Sequence, residues 1–161
     1  MKYNIELLRA DILDELDKIT HLETEFKEAA KLLSRPAEEV SFFERSALGY
    51  YLHCFYNGCE NIFRLIARFF ENDIGPQTWH ADLLKRMKLE ISGYRPPLID
   101  EELYLLLDDF RGFRHKFRHS YSFELDWERE RLVANKFSRT AMLMRRQTHT
   151  FLDNLSGIEE K

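Results

Sequence analysis

The spacing of apolar residues along the first part of the chain is the strongest constraint on its fold. From Ile5 to Leu33, apolar side chains recur at steps of three and four. An α-helix turns once in about 3.6 residues, so this spacing puts them on one stripe. Residues 3–33 are therefore predicted to form one long helix with a single buried face. Pro36 ends it, because proline disfavours helical geometry at Arg35.

Four further helices are predicted, at residues 37–71, 79–90, 101–117 and about 127–156, with Gly157 as the final stop. The second helix is apolar on more than one face and is expected to lie centrally. Gly49 and Gly58 weaken it by about 1 kcal/mol each relative to Ala, which favours a close approach of other helices there. Asp100 and Asp126 are expected to cap the helices that follow them. Residues 72–76 (NDIGP) and 92–97 are predicted loops.

Composition supports one all-α domain over residues 1–161, an up-and-down bundle of about five helices. The chain has 44% hydrophobic and 32% charged residues, with six Gly and four Pro. Cys54 and Cys59 lie on one predicted helix about 140° apart, which prevents an unstrained disulfide and indicates reduced thiols. Neither a signal peptide nor an apolar run of about 20 residues is present. A cytoplasmic protein without a membrane segment is expected.

A basic and aromatic stretch at residues 109–129 (DFRGFRHKFRHSYSFELDWER) carries the candidate chemistry. It contains Arg114, His119 and Tyr121 in the spacing Arg-x4-His-x-Tyr. A guanidinium can hold two phosphoryl oxygens, and a histidine whose ordinary pKa is about 6.5 can move a proton near neutral pH. Cleavage of RNA through its own 2′-hydroxyl needs neither a metal nor an activated Ser or Cys. Because the net charge is −4, RNA would have to bind a local basic patch.

Two observations weigh against a simple reading of this motif. Cations near a helix C-terminus are favoured by the helix dipole and are expected without any function. In a regular helix His119 points about 140° away from Arg114, so the two converge only if the helix ends near His119 or a second copy contributes. If the helix continued, Arg111, Arg114, Arg118 and Tyr121 would share one face. His21 is expected at the surface, and His80 lacks any recognised metal-ligand spacing around it.

The motif resembles the signature of the HEPN superfamily of helical ribonucleases. Its Arg-x4-His-x-Tyr form is similar to the HepT-like toxins of prokaryotic HEPN/MNT toxin–antitoxin pairs. Residues 56–68 (YNGCENIFRLIAR), 79–87 (WHADLLKRM), Arg95-Pro96 and 123–130 (FELDWERE) look like the flanking helices of HepT-like domains, so the resemblance covers roughly residues 40–151. One departure is His115, because the residue after the motif arginine is often Asn or Asp in these families.

The resemblance implies a metal-independent endoribonuclease toxin without a cofactor, built as a homodimer whose two motifs form one cleft. Arg114 would hold the phosphoryl oxygens, and His119 would move the proton. Tyr121 would either position a phosphate or receive AMP from a partner MNT nucleotidyltransferase antitoxin. Glu60 is expected to form a surface pair with Arg64 or to support Arg114. The residues expected to contact RNA are Arg111, His115, Lys116 and Arg118. A non-catalytic HEPN module that binds nucleotide or protein, and a plain helical scaffold, remain as alternatives.

Overall fold

The computed structural model describes residues 2–71 and 79–159, which contain six α-helices. The helices are α1 (Lys2–Ala29), α2 (Phe42–Glu71), α3 (Trp79–Met87), α4 (Glu101–His119), α5 (Trp127–Ala134) and α6 (Phe137–Glu159). Turns of 3-10 helix lie at Ala30–Ser34, Ala37–Glu39 and Ser122–Glu124. This architecture confirms the all-α prediction. The predicted loop at residues 72–76 lies outside the described residues.

The start of α2 differs from the sequence prediction because a capping box fixes it. The Glu44 N–H donates to Ser41 Oγ at 3.1 Å, and the Ser41 N–H donates to Glu44 Oε1 at 3.1 Å. Two backbone donors that a helix leaves unsatisfied are thereby paired. The helix consequently begins at Phe42 rather than at residue 37, and residues 37–39 form a separate 3-10 turn.

The predicted last helix is two helices, α5 and α6, separated by a turn at Asn135 and Lys136. Asp126 caps α5 as expected, accepting from the Glu128 N–H at 3.0 Å. After the turn, Phe137 begins α6 and stacks on Phe26 with ring centroids 4.1 Å apart. Phe137 is 1% exposed, so the first residue of α6 places a large aromatic ring in the core. The prediction of Gly157 as the stop was wrong, because α6 continues two residues beyond it.

Helix α2 lies at the centre and packs against α1, α3, α4 and α5. All six helices contribute to one hydrophobic cluster. A Cβ at Gly49 would lie 2.6 Å from Phe117 Cε2 on α4, and one at Gly58 would lie 3.0 Å from Ile19 Cγ1 on α1. Since real Cβ contacts are rarely so short, both glycines permit the close helix approach that the sequence indicated.

The connection from α3 to α4 is held to α2 by a buried arginine. Arg95 is 2% exposed and donates to Glu71 Oε1 at 2.8 Å, to Arg86 O at 3.1 Å and to Leu89 O at 3.0 Å. Gly93 makes the preceding turn with a φ of 80°, a backbone conformation that favours glycine. Asp100 then caps α4 by accepting from the Leu103 N–H at 2.8 Å. This end of the bundle is therefore fixed through polar contacts.

A carboxyl group is buried on the other side of the core. Glu130 on α5 is 1% exposed, and within the described part of the chain its carboxyl oxygens form no hydrogen bond of good geometry. Burial raises the pKa of Glu130 to about 8, and the charge of Arg45 and the backbone of Gly49 only partly oppose this shift. The folded protein therefore holds Glu130 largely protonated at neutral pH.

Cys54 and Cys59 are both free thiols, as the sequence predicts, and burial raises the pKa of Cys59 far above its ordinary value. No helix within residues 2–71 and 79–159 has the length and apolar character that crossing a membrane requires.

A buried arginine cluster as the candidate functional site

Arg114 points into the bundle rather than toward solvent. It is 4% exposed, because its position on α4 faces α2. Its Nη2 donates to Glu60 Oε2 at 3.0 Å, and its Nη1 donates to Asn57 Oδ1 at 2.7 Å. The guanidinium also lies over the Tyr56 ring, 4.6 Å from the centroid. The motif arginine is therefore a buried, preorganised cation.

Glu60 joins three helices at one carboxylate. Its side chain is 1% exposed and pairs with Arg114 on α4, with Arg64 at 2.7 Å on α2, and with His80 at 2.9 Å on α3. The expectation of an ordinary surface pair with Arg64 was wrong, because α3 and α4 cover the carboxylate. Two guanidinium groups therefore meet a single buried carboxyl group in this cluster.

His80 lies between the two ions, with its Nδ1 2.9 Å from Glu60 Oε2 and 2.9 Å from Arg114 Nη2. Arginine only donates and an ionised carboxylate only accepts. One ring nitrogen cannot accept from Arg114 and donate to Glu60 at the same time, so the proton position on His80 selects one of these contacts. Across the described residues no group of three or more His, Cys, Asp or Glu has the geometry to hold a metal ion.

A second chain of hydrogen bonds leaves Arg114 toward His53. Because Arg114 donates to Asn57 Oδ1, the amide Nδ2 of Asn57 faces His53 Nε2, 3.0 Å away. An amide nitrogen only donates, so His53 Nε2 must accept and the ring carries its proton on Nδ1. Partial burial lowers the pKa of His53, and the charges of Arg114 and Arg118 add to this effect. His53 is thus held neutral in one tautomer.

His119 occupies the last turn of α4 and is exposed. Its ring contacts the edge of His115, with centroids 4.9 Å apart and planes at 61°. The helix remains regular through His119, so within one protomer His119 and Arg114 face different directions. His115, which stands where related motifs have a small polar residue, is therefore a direct neighbour of His119.

Tyr121 does not continue the face of α4, because the helix ends at His119 and Ser120 is extended. The condition under which Arg111, Arg114, Arg118 and Tyr121 would share one face, a helix that continues through Tyr121, is therefore not met. Its side chain is 71% exposed and stacks against Phe123, with ring centroids 5.4 Å apart. The phenol group projects from the turn Ser122–Glu124, beside the end of α4.

The remaining basic residues separate into two groups. Arg118 shares the side of α4 that faces His53, where its charge contributes to lowering the pKa of that histidine. Arg111 and Lys116 instead line a groove of about 470 Å³ that also contains Val133 and Lys136 from the α5–α6 region. Arg111 is paired there with Asp108 at 2.8 Å. The structure consequently does not bring the predicted RNA-contacting residues together on one surface.

Sequence reasoning named Glu60 as a possible support for Arg114 but missed its neighbours His53, Tyr56 and Asn57. With Glu60 they lie at positions i, i+3, i+4 and i+7 of α2, which is the spacing of one helix face. A polar residue set recurring at that spacing on an otherwise apolar helix could have indicated a buried polar network. The contact with His80 had no such signal, because it depends on how α3 packs.

An all-α bundle in which Arg-x4-His-x-Tyr spans the end of the fourth helix is the arrangement that the resemblance to the HEPN superfamily implies. The sequence profile of the family described as HepT-like protein matches residues 47–155, which is more than half of the chain. The chain therefore belongs to the HepT-like family. No curated protein and no solved structure matches it significantly.

Proposed function

We propose that this protein is a metal-independent endoribonuclease toxin that acts as a homodimer. The observation that carries the proposal is the preorganised Arg114, held by Glu60 at 3.0 Å and Asn57 at 2.7 Å, five residues before an exposed histidine at the end of the same helix. A fixed cation beside a titratable imidazole is the minimum that phosphodiester cleavage by a 2′-hydroxyl needs.

The phosphate would enter at the Asn57 edge of Arg114. The bonds from Arg114 to Glu60 are buried, whereas the bond to Asn57 is only partly buried. A phosphoryl oxygen carries charge and forms a stronger hydrogen bond to guanidinium than a neutral amide oxygen does. The substrate can thus displace Asn57 Oδ1 while Glu60 continues to hold the other side of the guanidinium.

A second copy of the chain would complete the site. Arg114 and His119 of one protomer face different directions, so a cleft that uses both groups requires His119 from the partner. Two-fold dimers are the commonest assembly that repeats one surface on both partners. His119 would take the proton from the 2′-hydroxyl or give one to the leaving 5′-oxygen, and the product would end in a 2′,3′-cyclic phosphate.

The decisive test compares cleavage of single-stranded RNA by the wild type, His119→Ala and His149→Ala. Both histidines are exposed, so neither substitution should change stability by more than about 0.5 kcal/mol. We expect cleavage to be lost in His119→Ala, to persist in His149→Ala, and to survive EDTA. Cleavage that requires a divalent metal would refute the mechanism, and a monomer at micromolar concentration by sedimentation would refute the composite site.

Family membership also supports a partner antitoxin of the MNT nucleotidyltransferase type. The hydroxyl-bearing ring of Tyr121 is 71% exposed, so its oxygen is open to a second enzyme. In AMP transfer the Tyr121 oxygen would bond to the α-phosphorus of ATP, pyrophosphate would leave, and the phenol proton would pass to a base. The bulky anion would then stand beside α4 and block RNA. Mass spectrometry before and after incubation with the antitoxin and ATP tests this, with Tyr121→Phe as the control.

One observation favours the non-catalytic alternative. Both Nη atoms of Arg114 already have hydrogen-bond partners, in Asn57, Glu60 and His80. An arginine so engaged could serve the fold alone, leaving a module that binds RNA or protein without cutting. That alternative would be established if the wild type binds RNA and the RNA keeps its full length after prolonged incubation.

A further inference from the structure

Two exposed aromatic rings lie directly beside the motif. Tyr121 is 71% exposed and Phe123 is 65% exposed. Their planes differ by only 3°, and their centroids lie 5.4 Å apart. Aromatic side chains usually bury most of their surface, so a parallel pair that packs on itself in solvent indicates a contact surface.

The turn that carries these rings is fixed by hydrogen bonds. The Tyr121 N–H donates to Glu124 Oε1 at 2.8 Å, and the Glu124 N–H donates to Tyr121 O at 2.9 Å. Arg45 on α2 donates to Leu125 O at 3.3 Å and so attaches the end of the turn to the bundle. A ligand that binds the rings would therefore find them already ordered and would not bear the full cost of arranging them.

Cations lead into the rings along the chain. Residues 110–123 (FRGFRHKFRHSYSF) contain no Asp or Glu, and the carboxylate of Glu124, directly after them, is engaged by the Tyr121 N–H at 2.8 Å. Within the described part of the chain no ion pair involves Arg118. Flat aromatic faces beside available cations are the combination with which proteins bind single-stranded nucleic acids, because rings stack on bases and cations contact phosphates.

We infer that Tyr121 and Phe123 form a stacking platform for one nucleobase of single-stranded RNA. The inference rests on the proposed ribonuclease function and adds a base-binding subsite next to the scissile phosphate. The platform is sequence-tolerant, because every base offers a flat face. A second copy of the chain is a less suitable occupant of the rings themselves, because two rings are far below the roughly 800 Å² per partner of a stable interface.

The test measures affinity for a short fluorescent single-stranded RNA by anisotropy, on a His119→Ala background that prevents cleavage. Phe123→Ala and Tyr121→Ala should each weaken binding by between about 5-fold and 100-fold, the range that loss of base stacking gives. Tyr121→Phe keeps the ring and should bind normally. Tyr94→Ala is the matched control, since Tyr94 is 66% exposed on the connection between α3 and α4.

Abasic RNA identifies what the rings contact. If one base stacks on the platform, RNA that lacks this base should bind the protein with intact rings as weakly as intact RNA binds Phe123→Ala. Removing both the base and the Phe123 ring should lower the affinity little further. If Phe123→Ala lowers the affinity for fully abasic RNA as much as the affinity for intact RNA, the inference is overturned. Dissociation of a dimer by Phe123→Ala in sedimentation would overturn it too, because the rings would then be a contact between copies.

The inference and the proposed function can fail separately. If RNA binding depends on the two rings but the wild type never cuts RNA, the stacking platform stands and the ribonuclease proposal is refuted. Metal-independent cleavage that requires His119, with normal RNA affinity in Phe123→Ala and Tyr121→Ala, would retain the ribonuclease and remove the platform.

Discussion

Replacing Arg114 by Ala should destabilise the fold as well as the proposed chemistry. Arg114 is 4% exposed and pairs with a carboxylate that is 1% exposed. Removing one member of a buried ion pair costs about 3–5 kcal/mol, because the other charge remains buried. Arg64 stays at 2.7 Å from Glu60 and reduces this penalty. We therefore expect a loss of about 3 kcal/mol, equivalent to a fall of roughly 6–12 °C in Tm for a chain of this length.

Chemical denaturation gives the free energy of unfolding directly, and α4 offers a matched control. Arg118→Ala makes the same change one turn further along the helix, at an exposed position, and should cost less than about 0.5 kcal/mol. A double-mutant cycle with Glu60→Gln should show a coupling energy of about 1–3 kcal/mol with Arg114→Ala. The reasoning is refuted if Arg114→Ala unfolds within about 0.5 kcal/mol of the wild type. Loss of RNA cleavage in Arg114→Ala should accordingly be interpreted only well below its Tm.

Three further predictions follow from other parts of the structure. Because the pKa of Glu130 rises to about 8 from an ordinary value of 4.5, the folded state binds its proton more tightly, and stability should fall as pH rises between these values. Glu130→Gln should remove up to about 4 kcal/mol of this decline, which is measured as the free energy of unfolding at pH 5 and at pH 9. An equal decline in the wild type and in Glu130→Gln would contradict this prediction. Gly49→Ala should cost about 1–3 kcal/mol because its Cβ meets Phe117, whereas Gly112→Ala, with open space around its Cβ, should gain up to about 1 kcal/mol in the same denaturation assay. Arg118→Ala should lower the salt dependence of RNA affinity by about one phosphate contact, a slope change of about 0.7, while Lys136→Ala in the separate α4–α5 groove should leave the slope unchanged.

Much of the fold follows from periodicity alone. The stripe from Ile5 to Leu33 predicts α1, and Asp100 and Asp126 mark two helix starts, because capping depends on residues close in sequence. The break at Asn135 and Lys136 was missed, since it depends on where Phe137 must enter the core and no proline or glycine marks it. Signals between residues close in sequence predict the helices, whereas this break between α5 and α6 depends on packing.

The candidate site was less predictable from sequence. The motif spacing located Arg114, His119 and Tyr121 and showed that a straight helix separates the first two. It did not reveal that Arg114 is buried, because burial depends on α3 and α2 covering it. A run of cations resembles a solvated helix end, and only tertiary structure distinguishes a buried arginine from its exposed neighbours. The loss of the shared face at Tyr121 likewise depends on the helix ending at His119.

The docking of α3 has a consequence for motion. This nine-residue helix is too short to be stable alone, and it is held to α2 by His80 with Glu60 at one end and by Arg86 with Glu71 at the other. A transient detachment of α3 would expose Glu60 and Arg114 to solvent without unfolding the other helices. Native-state hydrogen exchange of the α3 amides would report the frequency of such openings. That frequency would set how often the buried pair of Glu60 and Arg114 meets bulk water.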